Sequence, residues 1–247
     1  VRLASIIIYS RSITGFPTYS PYAIEMDTIW NICQAIGVGA AAGLSPLVAL
    51  AAVVVCVAVS LGLDTTNKSY DFLAGSAAVI VAVVVLLQSL ALIALPGGMV
   101  ARVTADRPRL MPLHLLLALV LGGLAGAIVF GTQNDAAWLG AIFGAVPAGL
   151  VAHASGGLMR GVAKRLDDGE KRQLKGASGE EAKAAKADTD ASRRILAFGV
   201  DIVTIIAVVL PLLLPPTGLI LPLVAIALIF GSRRREAKKH EGLRVLS

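Results

Sequence analysis

Charge is scarce in this chain. Of its 247 residues, 15% are Asp, Glu, Lys or Arg, where soluble domains carry about 25%. Aromatic residues make up 5%, and there are three histidines and two cysteines. So few charges, set between uncharged runs of about twenty residues, exclude a soluble enzyme and a disordered chain. The runs lack the alternation of a membrane β-barrel. Cys33 and Cys56 lie in one apolar run, so neither a disulfide scaffold nor a cysteine metal site is indicated. No His-Glu-x-x-His, Walker loop or Gly-x-Ser-x-Gly occurs, so no catalytic residues, cofactor or metal are expected and the chain reads as a non-enzyme.

What is present is apolar residue: 56% of the chain, with a mean hydropathy of +0.79. The sequence therefore specifies an all-α, polytopic transmembrane helix bundle. The net charge of +6 is carried between the spans and at the C-terminus. It reads as a topology determinant facing anionic lipid, with no nucleic-acid partner.

Residues 1–31 form an N-terminal extension with Arg2, Arg11, Pro17, Pro21, Glu25 and Asp27, and lack a signal-peptide core. The leading valine makes Met26 the expected biological start. Residues 32–163 hold spans one to four, at 32–63, 72–95, about 110–130 and 136–159. The first is too long for one straight crossing, and Gly43-Leu44-Ser45-Pro46 is where it should break. Residues 164–194, with nine basic and seven acidic residues, form a charged, solvated loop, helical in part, that is not a second domain and is expected on the cytoplasmic side. Residues 195–231 are interrupted by Pro211, Pro215, Pro216 and Pro222, and 232–247 form a basic tail.

Lys and Arg are concentrated in alternate connections, at 102–109, 164–194 and 233–244. Positive-inside reasoning then puts both termini in the cytoplasm of a bacterial inner membrane, with an even number of spans. Six is the expected number, and four plus a re-entrant or broken hairpin is the alternative. Residues 35–44 and 141–150 share five of ten identities, which raises an inverted repeat between the two halves.

Small residues four apart at Gly39 and Gly43, Gly122 and Gly126, Gly140 and Gly144, and Gly157 and Gly161 mark close helix packing. A homo-oligomer is an open alternative. The polar minority is more informative, because the membrane penalises it. Counted from the charged ends of their spans, Gln88, His153 and Asp201 share one depth, about 9–12 Å in. Asp201 needs a partner, with His153 or Arg160 as candidates. Such a cluster could handle an ion or small solute, or could simply fix packing. His114 and His240 read as interfacial or solvated.

The run Gly39-Ala40-Ala41-Ala42-Gly43-Leu44-Ser45-Pro46-Leu47 and the pair His153 and Arg160 around Gly157-Leu158-Met159 resemble the bacterial "domain of unknown function 4126" membrane family. With them go the charged loop and the proline-broken last segment, over about residues 30–236. The resemblance implies a membrane bundle and supplies no residue roles. Two functions are expected from the residues. One is a transporter- or channel-like permeation unit around Gln88, His153 and Asp201. The other is an accessory or scaffold membrane protein whose charged loop and tail bind a cytoplasmic partner or anionic lipid.

Overall fold

Proline and glycine set where each helix starts and stops. The computed structural model describes residues 21–61, 63, 79–80, 82–83, 87, 111–132, 136–175 and 178–244. These residues are helical almost throughout, with no strand among them. Pro21 opens α1 (Pro21–Ala42), and Pro46 opens α2 (Pro46–Ala58), at first-turn positions where a missing N–H costs nothing. After these come α3 (Met111–Gly131), α4 (Ala137–Leu174), α5 (Gly179–Leu213), a 3-10 turn at Pro215–Leu219, and α6 (Ile220–Arg244). Among the described residues four segments are long and apolar enough to cross a membrane: Pro112–Gly131, Ala137–Leu174, Gly179–Leu213 and Pro215–Ser232. The described part of the chain is thus all-helical and of a membrane-protein type. The start of α1 moves the expected boundary at residue 31 into the middle of a helix.

Helix directions follow from which residues touch. Gly39 rests on Gly144, and Gly43 on Ala148 and Ala152, so α1 and α4 run parallel. Gly126 meets Gly140 while Gly122 meets Gly144 and Ala148, so α3 runs antiparallel to both. Gln34 reaches Leu212 and Ser45 reaches Asp201, which makes α5 antiparallel to α1. Gly218 sits against Cys33 and Gly37, and Ala225 shares a cluster with Ala40 and Val151, so α6 runs with α1. In this arrangement α1 is central, touching every other described helix and the 3-10 turn.

Helix α2 turns back. Its buried Val53 and Val57 belong to one core with Ile128 and Val129 of α3 and Val208 and Leu212 of α5. Those residues lie well along α3 and α5 from His114 and Asp201, which stand beside the α1–α2 turn. The uncharged run 32–63 is therefore two helices meeting at residues 43–45, and not one over-long span with a bend. The physical reason is the combination of Gly43 with Pro46, whose ring blocks a continuous helix. With 13 residues, α2 is about 20 Å long, short of a full crossing.

Two further expectations change. Because α1 and α4 are parallel, the similar stretches 35–44 and 141–150 are not related by an inverted repeat, which needs opposite directions. The start of α1 lies at the end of the bundle opposite the end of α6. Finally, residues 164–194 are not a loop. α4 continues about 22 Å past Arg160 and α5 returns, joined at 175–178, as a helical hairpin.

The hairpin is locally well specified. Arg193 of α5 pairs with Asp167 of α4, and Ala185 and Thr189 are buried one turn apart. At its tip Ser178 donates its backbone N–H (2.8 Å) and its hydroxyl (2.9 Å) to the Glu181 carboxylate, a capping arrangement. These bonds hold the Glu181 carboxyl below the usual range. A lowered folded pKa means that the cap is fully present above the unfolded value and lost as pH falls through the folded one. Amide protection at 181–183, measured by hydrogen exchange, should drop on acidification, and Ser178→Ala should lower it at neutral pH.

Candidate functional site

A helix that stops inside an apolar layer leaves carbonyl groups without N–H partners, and lipid supplies none. Two such stops occur among the described residues, and each is met by side chains from other helices.

The first is the α1–α2 turn. Pro46 removes the N–H that would serve the Ala42 carbonyl, and Ser45 adopts an extended conformation (φ −142°, ψ 93°). Gly43 and Leu44 N–H groups tighten onto Ala40 and Ala41 (3.0 Å each), which leaves the Gly43 carbonyl facing outward from α1. It accepts the Ser155 hydroxyl of α4 (3.3 Å) and the ring N–H of His114 of α3. Two residues on, the Ser45 hydroxyl meets the Asp201 carboxylate of α5. Asp201 thus stands at the first turn of α2, where unpaired N–H groups carry partial positive charge that suits a carboxylate. Gly43 itself must be glycine, because a Cβ there would lie 2.5 Å from the Ala148 carbonyl oxygen.

The second stop is the end of α5. Pro216 is four residues after Leu212 and Pro215 four after Pro211, so both carbonyls lose their helical donors. Gln34, buried in α1, donates its side-chain amide to the Leu212 carbonyl (3.0 Å). The turn is pressed onto α1: a Cβ at Gly37 would lie 2.5 Å from Gly218 Cα and from the Pro211 ring. The two breaks are linked through α1 and α5: Gln34 meets Leu212 at one, and Ser45, in the turn after α1, meets Asp201 at the other.

Of the residues singled out in the sequence, Asp201 is half-buried at the first break. His153 is at the same level, next to Ala152 and two residues from Ser155, but on the outer face of α4 and exposed. It does not pair with Asp201. Neither does Arg160, whose Nε donates to the Gly156 carbonyl of its own helix (3.1 Å). Gln88 lies outside the described residues. Gly39, Gly43, Gly122, Gly126, Gly140 and Gly144 all stand where backbones meet, whereas Gly157 and Gly161 face open space. No group of three His, Cys, Asp or Glu side chains arranged for a metal occurs among the described residues.

Ser45, His114, Ser155 and Gln34 were not singled out as partners. The signal for them lay in the prolines. A proline at position i in an apolar run frees the carbonyl at i−4, which requires a donor from another helix. Comparison with protein-family models, curated proteins and solved structures finds no match to this chain.

Proposed function

We propose that the chain is a multi-pass membrane anchor and adaptor that presents the α4–α5 hairpin to a protein partner on the cytoplasmic side. One observation carries this reading. Among the described residues, Gln34, His114, Ser155 and Asp201 are committed to the two helix breaks and the buried Thr132 and Thr204 hydroxyls bond carbonyls of their own helices (2.9 and 2.8 Å), while the hairpin leaves the membrane as a pinned, mixed-charge projection. Asp201 then fixes packing, and His153, exposed on the outer face of α4, does not share its site.

The basic connection and tail orient the hairpin and the end of α6 to the cytoplasm of a bacterial inner membrane, with the start of α1 outside. A cysteine at Asn134 should react with an impermeant reagent added outside, and one at Lys183 only after permeabilisation. The resemblance to the "domain of unknown function 4126" family is compatible with this anchor and assigns no role within it.

The functional test has two arms. A photo-crosslinker at Lys183 or Lys186, both exposed on the hairpin, should give discrete protein adducts in cells. The same group at Ile142, on the outer face of α4, should give none. Reconstituted protein should pass no proton or cation flux above lipid-only vesicles. A flux abolished by Asp201→Asn would overturn the adaptor reading.

A further inference from the structure

His153 has no part in the helix breaks, yet it faces outward from α4, about 10 Å along the helix from Arg160. Residues 153, 157, 160 and 164 recur at spacings of four, three and four, so His153, Gly157, Arg160 and Lys164 share one face of α4. All four are exposed. This face is opposite the one carrying Gly144, Ala148 and Ser155, which packs on α1 and α3.

Near a membrane surface an arginine usually extends toward water. Arg160 does not. Its Nε donates to the Gly156 carbonyl (3.1 Å), so the guanidinium folds back by a turn toward the apolar layer and leaves its terminal N–H groups free. That places a fixed positive fork above Gly157, where an added Cβ would meet nothing within 4 Å. His153 closes the other side of this recess one turn deeper, with ring nitrogens able to hydrogen-bond. No Asp or Glu occurs on α4 before Asp167, and that carboxylate is paired with Arg193. The register that sets Ala225 beside Val151 also brings positions 233–235 of α6, all arginine, to the level of Arg160.

We propose that His153, Gly157, Arg160 and Lys164 form a binding site for the headgroup of an anionic phospholipid in the cytoplasmic leaflet. The Arg160 fork takes the phosphate, Lys164 adds charge on the water side, and His153 bonds the glycerol-ester region. The glycine recess admits the headgroup against the helix backbone. Planar guanidinium recognition of phosphate and the attraction of basic residues for anionic leaflets supply the affinity.

The test is native mass spectrometry on the full chain, delipidated in detergent and returned to phosphatidylglycerol or phosphatidylcholine at equal concentration. The wild type should retain phosphatidylglycerol preferentially. Arg160→Gln should cut that retention about fivefold, the share of one basic residue near an anionic surface. Gly157→Leu fills the recess without changing charge and, with open space around it, should fold normally and lose retention as well. Lys175→Gln, at the hairpin tip, should retain lipid like the wild type. The site is refuted if phosphatidylcholine is held equally, or if Arg160→Gln and Gly157→Leu both match Lys175→Gln. It is also refuted if inorganic phosphate binds as well as the lipid, or if the retained mass is a second copy of the chain.

Discussion

Gly144→Ala should remove nearly all folded protein. A Cβ at this position would overlap the Gly122 carbonyl oxygen of α3 and lie 3.0 Å from Gly126 Cα, so the obstacle is backbone on the opposing helix and no side chain can move aside. Relief requires α3 and α4 to separate, and α1 also rests on Gly144 through Gly39. Overpacking in a tight core costs typically 1–3 kcal/mol, and a backbone clash shared by three helices should cost about 3 kcal/mol or more. Denaturation in mixed micelles measures it. Gly157→Ala, where nothing lies within 4 Å, is the matched control and should be neutral. In a bilayer, where lipid tails remove the hydrophobic drive between helices, such close approach is the main source of association.

Gln34→Met is expected to be the most damaging of the polar substitutions. It keeps the volume and deletes the one side-chain donor to the Leu212 carbonyl at a buried break. Leaving a buried acceptor unsatisfied costs about 1–3 kcal/mol, and Pro216 ensures that no local N–H can replace the lost one. Ser155→Ala should cost less, because the Gly43 carbonyl keeps His114 as a donor. If that redundancy is real, His114→Phe combined with Ser155→Ala should destabilise by more than the two single changes added together. Strict additivity in the double-mutant cycle would mean that the two residues do not share the acceptor.

The prolines and glycines explain how much was legible in the sequence. The break at Gly43-Leu44-Ser45-Pro46 was placed to the residue, because Pro46 excludes a continuous helix whatever the tertiary context. What the break does was not legible. A proline says that a helix stops, while the direction of the next helix depends on what its apolar faces pack against, and Val53 and Val57 read the same in either direction.

Asp201 and His153 both stand near the α1–α2 turn. Which way each residue faces was not legible, because the burial of one face of α4 is decided by Gly140, Gly144 and Ala148 meeting α3 and α1. His114 was read as interfacial or solvated, and the acceptor it serves is a main-chain carbonyl with no sequence signature of its own. The charged stretch 164–194 hid its helicity behind composition. Its Ala, Lys and Glu content favours helix as much as solvation, and the Ser178 and Glu181 spacing of a capping box marks the start of α5.

The central claim is that Asp201 belongs to the α1–α2 turn and not to an intramembrane cluster with His153. Paired cysteines at Ser45 and Asp201, in a chain whose Cys33 and Cys56 are replaced by alanine, test it most directly. Oxidation in the membrane, or a short bifunctional thiol reagent, should link positions 45 and 201 efficiently and leave a 153 and 201 pair unlinked. A chain that links 153 to 201 and not 45 to 201 would contradict the account.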